Sequence, residues 1–238
     1  MKKTYLITGA ASGLGRTLTE KLFALGHECI LVDKDLKLLN RLYDELHQGR
    51  QDEGQIALYP MNLLGTDLNE YQTFGDVIAK EFAQLDGVFL NAASMPAFTP
   101  IDSFDFKQWY EVLHTNLNAN FHLIQQTLPA VLKAKGKIVA LSDTDAFDKP
   151  AYYGAYGVAK AGLEQLLNTL SKEHCEKCLE CVIARAPAFA TETRGRLFPG
   201  ENPLSLPQTT DIADELLAKL GIDGKAKSDL IEMNFLKN

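Results

Sequence analysis

A doubly wound parallel α/β sheet with helices on both faces is the fold class this sequence predicts, and three observations predict it. Short β-branched or apolar runs alternate strictly with amphipathic stretches along the chain. The first run, Thr4 to Thr8, passes directly into a glycine-rich turn and then into a helical pattern. Hydrophobic residues make up 46% and charged residues 23% of the chain, close to average globular usage, so there is apolar material for a sizeable core.

The strands expected from these runs are Thr4 to Thr8, Glu28 to Asp33, Gln55 to Tyr59, Gly87 to Asn91, Lys137 to Ser142, Cys181 to Arg185 and Asp229 to Asn234. Between them lie helical patterns at Leu14 to Leu25, Leu36 to His47, Leu68 to Ala83, Phe106 to Leu132, Gly154 to Lys177 and Asp211 to Leu220. Seven strands separated by six helices predict a parallel seven-stranded sheet with right-handed crossovers, as one domain over residues 1–238. The stretch from Pro187 to Thr210 has no clear period, and Pro187, Pro199, Pro203 and Pro207 argue against regular helix there. Its place after the sixth strand, at the ligand-binding edge of such sheets, makes it the expected substrate lid.

Charge and composition exclude several classes of partner. A net charge of −7 without any long basic run argues against nucleic acid, and no apolar run approaches the length of a membrane span. The start of the chain lacks the apolar stretch of a signal peptide, so the expected location is cytoplasmic. Cys175, Cys178 and Cys181 form a CxxCxxC string after His174, but the string falls where a helical pattern gives way to a strand. Reduced thiols are expected, and no metal.

Function is concentrated at the first turn. Gly9, Gly13 and Gly15 in Thr8 to Gly15 allow a tight turn, close approach of backbone to a pyrophosphate and close helix packing. Asp33 ends the second strand 18 residues after Gly15 (33 − 15), where a carboxylate meets ribose hydroxyls and repels the extra phosphate of NADP. The turn thus marks a Rossmann-type site, with NAD the expected cofactor and NADP disfavoured; Lys34 keeps an NADPH reading open.

With these residues the chain resembles the short-chain dehydrogenases/reductases over essentially its whole length. Their TGxxxGxG pattern is matched at Thr8 to Gly15, their strand-four NNAG by Leu90, Asn91, Ala92 and Ala93, and their YxxxK by Tyr156 to Lys160. Pro187 followed by Ala188 resembles their PG turn, and Asn116 matches the helix asparagine that supports a water chain. Asn62 stands where the family has an adenine-contacting aspartate. The resemblance implies cofactor contacts from Gly9, Ser12, Gly13, Leu14, Gly15, Asp33, Asn62, Leu63, Asn91, Ala92, Tyr156, Lys160 and Pro187. It also implies a small-molecule alcohol or carbonyl substrate and a homodimer or homotetramer built on the helices Phe106 to Leu132 and Gly154 to Lys177.

Tyr156 and Lys160 are four apart in a helical pattern and so share a face, where an ammonium lowers the pKa of a nearby phenol. The resemblance makes Tyr156 the general acid/base and Lys160 its modulator and a ribose ligand, with Asn116 in support. The departure lies at the family's serine, thirteen residues before the tyrosine: 156 − 13 is 143, an aspartate. A one-residue slip would bring the hydroxyl of Ser142 or Thr144 into the role; otherwise Asp143 points away, is protonated, or leaves activity weak and the substrate unusual. An ionised Asp143 is acceptor-only and opposes ionisation of Tyr156. An active oxidoreductase is therefore weighed against an impaired NAD-binding sensor or scaffold. Arg194 and Arg196 in the lid are candidates to hold an anionic substrate group.

Overall fold

The computed structural model describes residues 1–48, 54–223 and 230–236. In chain order the elements are β1 (Thr4–Thr8), α1 (Gly13–Ala24), β2 (Glu28–Asp33), α2 (Leu36–His47), β3 (Gln55–Pro60), α3 (Leu68–Glu81), β4 (Gly87–Leu90), α4 (Phe106–Leu113) and α5 (Ala119–Ala134). They continue with β5 (Lys137–Asp143), α6 (Thr144–Asp148), α7 (Gly154–Glu173), β6 (Glu180–Ala186), α8 (Glu192–Leu197), α9 (Thr209–Lys219) and β7 (Glu232–Leu236).

The strands form one sheet in the order β3-β2-β1-β4-β5-β6-β7. Because helices cover both faces, both sets of alternating strand residues are apolar. Leu6, Ile30, Val88, Ile138 and Cys181 face α3, α5 and α7. Tyr5, Cys29, Phe89, Val139 and Val182 face α1, α2 and α9. The order reverses between β1 and β4, whose crossover helices α1 and α5 pack on opposite faces, and this opens a crevice at the strands' carboxyl ends.

Four expectations change. The sheet is mixed, because β7 runs antiparallel to β6, with Val182 opposite Phe235 and Arg185 opposite Glu232. An edge strand has one neighbour, and its apolar pattern carries no information about direction. The expected strand start at Asp229 lies outside the described residues.

The stretch read as one helix from Phe106 to Leu132 is α4 and α5 joined by a π-helical turn, His114–Asn118. The helix expected from Gly154 to Lys177 also divides: α7 ends at Glu173, and a 3₁₀ turn, Cys175–Lys177, leads to Cys178 in the left-handed region at φ 58°. Cys178 is exposed while Cys181 is buried in β6. Finally, the proline-rich segment does hold regular structure. No proline falls between 188 and 198, so α8 forms there, and Thr191 caps it by accepting from the Arg194 N–H at 3.0 Å. No helix among the described residues is long and apolar enough to cross a membrane.

Candidate active site

The glycine turn is shaped by contacts that only glycine permits. Gly9 and Gly13 adopt φ of +64° and +52°. A Cβ on Gly9 would stand 3.0 Å from Ala92 Cα, and one on Gly15 would overlap the Gly9 carbonyl oxygen. The turn is tied to β4 through Thr8, whose Oγ1 accepts from the N–H groups of Asn91 and Ala92, both at 3.0 Å. The Asn91 amide in turn donates to the carbonyls of Thr8 and Gly9 at 3.0 and 3.3 Å.

α1 begins beside this turn with no acidic residue in its first turn, and the Ser12 side chain makes no capping bond there. Its first N–H groups and positive dipole end therefore remain suited to an anion. Asp33 stands next to the turn: its Oδ2 accepts from the Ala11 N–H at 3.0 Å and its Oδ1 from the Asp35 N–H at 3.1 Å.

Two adjoining clefts run along the crevice. One, of about 610 Å³, is bordered by Asp33, Lys34, Asn62, Leu63 and Arg196. The other, of about 300 Å³, is bordered by Gly13, Leu14, Asn91, Ser142, Asp143, Tyr156, Lys160 and Pro187, and the two share Gly9, Ser12 and Ala92. The expected residues thus converge, with two exceptions. Gly15 lies behind the cradle against Gly9. Asn116 is buried in the π-helical turn, where its side chain accepts from the Ser94 N–H at 2.7 Å and donates to the Ser94 carbonyl at 2.8 Å. It anchors the loop after β4, and its own carbonyl accepts from the Asn120 amide at 2.8 Å.

The end of β5 turns the side chains of Ser142 and Asp143 to different partners. Ser142 donates to Glu164 Oε1 at 2.6 Å, and Glu164 is held by both Nε and a terminal nitrogen of Arg185, at 2.9 and 2.7 Å. The Ser142 hydroxyl is therefore engaged with Glu164. Asp143 lies beside the phenol: its Oδ1 accepts from the Asp145 N–H at 2.9 Å and its Oδ2 from the Tyr156 phenol at 3.3 Å. Burial pushes the Asp143 carboxyl above its ordinary range, against the opposing pull of Lys160 and of the N–H groups of Ala146 and Asp145.

Lys160 donates to the Leu141 carbonyl at 2.6 Å, and its Nζ lies 5.4 Å from the Tyr156 ring centroid. Burial lowers it to about 8, partly countered by Asp143 and Glu164. The expected lowering of the Tyr156 pKa does not occur. Burial first, then the charge and hydrogen bond of Asp143, push the phenol well above its ordinary value. An apolar cluster containing Val112 and Tyr153, with Phe104, Trp109 and Phe147 packed against it, surrounds the ring and enforces that burial.

Arg194 is internally engaged. It donates to both oxygens of Glu201 at 2.6 and 2.9 Å and stacks 3.6 Å from the Phe198 ring centroid, so α8 is fastened to the segment after it. Arg196 is exposed at the larger cleft. Glu164 was not singled out from the sequence, although the series Tyr156, Lys160, Glu164 repeats every four residues on one helix and could have marked it. The Arg194–Glu201 pair has no such local signal.

Residues 3–202 match the family model of the short chain dehydrogenases. The oxidoreductase YciK of Escherichia coli K12 is 28% identical over 229 residues, which cover 94% of this chain and 88% of that one. Among solved structures, a short chain dehydrogenase from Shigella flexneri complexed with NADP superposes with a TM-score of 0.84 at 27% identity, covering 95% of this chain and 94% of that one. One from Escherichia coli CFT073 complexed with NADPH gives 0.81 at 28% identity, covering 92% and 89%. A glycine cradle at the β1/β4 crevice, a Tyr156–Lys160 pair beside it and a family match over most of its length together make this chain a member of the short chain dehydrogenase family.

Proposed function

We propose that the chain is a cytoplasmic oxidoreductase that moves a hydride between a nicotinamide dinucleotide, NAD(H) by preference, and a small alcohol or carbonyl compound. The observation that carries this reading is the convergence of Asp143, Tyr156 and Lys160 in a cleft continuous with the glycine cradle. The cradle suits the cofactor: Gly9 and Gly13 let a pyrophosphate approach the backbone, and the α1 N–H groups face it. When bound, the dinucleotide supplies or accepts the hydride.

The chain's residues do the rest. Tyr156 holds a proton at its phenol oxygen, in contact with Asp143 Oδ2, and Lys160 sets the charge behind it. The segment 187–210 serves as a lid, with Pro187 at its hinge and α8 above the cleft. Asp33 favours NAD by accepting from ribose hydroxyls and repelling a 2′-phosphate.

A second reading, NADPH dependence, has its own support. Lys34 and Arg196 border the same cleft, and two of the similar structures were complexed with NADP or NADPH. Calorimetric titration of both cofactors decides: tighter binding of NADH is expected, and equal or tighter binding of NADPH transfers the preference to Lys34 and Arg196. The exposed Phe106 and Tyr110 on α4, Phe121 on α5 and Val158 on α7 support a homodimer or homotetramer through these helices.

A further inference from the structure

The hydrogen-bond directions at the end of β5 turn two acceptors, on Asp143 and Tyr156, toward the cleft. A phenol has one proton, and that of Tyr156 is directed to Asp143 Oδ2 at 3.3 Å. What Tyr156 presents to the cleft is then lone pairs, and Asp143 in its ionised form presents the same. On β5 the Ser142 hydroxyl is bonded to Glu164, and Lys160 gives one of its three ammonium protons to Leu141 O. The other charged groups around Asp143 are Asp145 on α6 and Arg194 on α8, the latter 3.9 Å from Asp145 and bonded to Glu201.

A carbonyl oxygen brought to this centre carries no proton of its own. As hydride arrives, its growing negative charge stands beside a carboxylate, and Tyr156 must surrender a proton that burial and Asp143 hold tightly. A nitrogen that already carries its proton and a positive charge meets neither obstacle. Resting on the hydride-transfer reading above, we propose that the Asp143–Tyr156 pair selects protonated carbon–nitrogen double bonds, so that the chain reduces imines to amines in preference to ketones. The iminium N–H donates to Asp143 Oδ2 and the Tyr156 oxygen, and the carboxylate balances its charge.

The step balances without a proton from the protein. Hydride, with its electron pair, leaves the reduced nicotinamide dinucleotide and forms the new C–H bond at the iminium carbon. The C=N π pair becomes the nitrogen lone pair. The products are a neutral amine and the oxidised dinucleotide, and the amine takes up a proton as it departs.

The test uses the full chain with NADH and with NADPH, taking 2-methyl-1-pyrroline as the imine and cyclopentanone as the ketone of similar size. The kcat/KM for the imine is expected to exceed that for the ketone by about 10²-fold or more. Asp143→Ser and Asp143→Asn should collapse that ratio by roughly 10²- to 10³-fold, the range set by one unit charge near 4 Å at an effective dielectric of 20. Binding gives a second readout independent of turnover. The cation of 2-methylpyrrolidine, titrated by NMR against the chain with oxidised dinucleotide, should bind at least about tenfold more weakly to either variant than to wild type, while cyclopentanol should not. Should either variant fail to fold, the other carries the comparison. Faster reduction of cyclopentanone than of the imine, or an unchanged ratio and unchanged amine binding in the variants, overturns the proposal while leaving hydride transfer in place. Failure of the wild type to bind either dinucleotide overturns both.

Discussion

Substituting Gly15 by alanine tests how the cofactor cradle is built. A Cβ at Gly15 overlaps the Gly9 carbonyl oxygen and stands 2.7 Å from Asn91 Nδ2 and 2.8 Å from the Gly9 carbonyl carbon, where ordinary contact begins near 3.4 Å. The deficits are 3.4 − 2.7 = 0.7 Å and 3.4 − 2.8 = 0.6 Å. Two of these atoms are backbone and cannot rotate away, so α1 and the turn must separate by a comparable distance. Overpacking of this kind costs about 1–3 kcal/mol, and a backbone clash belongs at the upper end. Alanine returns up to about 1 kcal/mol through helix propensity. The packing term wins, leaving about 2 kcal/mol, or a fall in Tm of about 4–8 °C for a chain of this size. Because Gly9 moves with the turn, dinucleotide affinity should fall by about tenfold or more, equivalent to about 1.4 kcal/mol. The matched control is Gly195→Ala in α8, where nothing lies within 4 Å of the new methyl. It should raise Tm by about 1–4 °C through helix propensity alone. Thermal unfolding and calorimetric titration of both variants read the outcome. Unchanged stability and affinity in Gly15→Ala, or an equal loss in Gly195→Ala, would show that the Gly9–Gly15 contact does not shape the cradle.

Lys160 and Ser142 give two further tests. Burial lowers Lys160 from 10.5 to about 8, so between those values the unfolded chain holds a proton that the folded chain has released, and stability rises with pH. The difference of 10.5 − 8 = 2.5 units corresponds to about 3 kcal/mol. Wild type should therefore gain up to that amount over Lys160→Met as pH rises from 8 to 10.5, read by urea unfolding at both ends; a constant difference refutes the assignment. Ser142→Ala removes the 2.6 Å donor to Glu164 and should cost about 1–3 kcal/mol of stability. Its turnover should stay within a few-fold of wild type, because the hydroxyl is turned to Glu164; a folded variant without turnover would mean that Ser142 reaches the substrate.

The sequence carried most of the framework because local chemistry repeats at short range. The bounds of β1, β2 and α2 follow from apolar period and turn residues alone. The glycine cradle was legible because positive φ and close approach require a residue without a side chain, and Asp33 because it ends a strand at a fixed distance from that turn. Tyr156 and Lys160 were legible as a pair, since four residues on a helix return to one face. The opposition of Asp143 was legible from its spacing, but the burial that dominates the phenol was not, because it comes from an apolar cluster brought together only by folding.

What the sequence determined by itself, then, is the alternating layered sheet, the place of the cradle and the family to which the motifs belong. Tertiary structure alone decided that Ser142 turns to Glu164 and that Asp143 accepts a hydrogen bond from the Tyr156 phenol. The first of these depends on Arg185, which reaches Glu164 from β6. It also decided the polarity of β7, the break between α4 and α5, and the fastening of Arg194 to Glu201. Each of these rests on a hydrogen bond whose partner is fixed by how the chain packs or turns in three dimensions, and periodicity along the chain cannot say where such a bond will point.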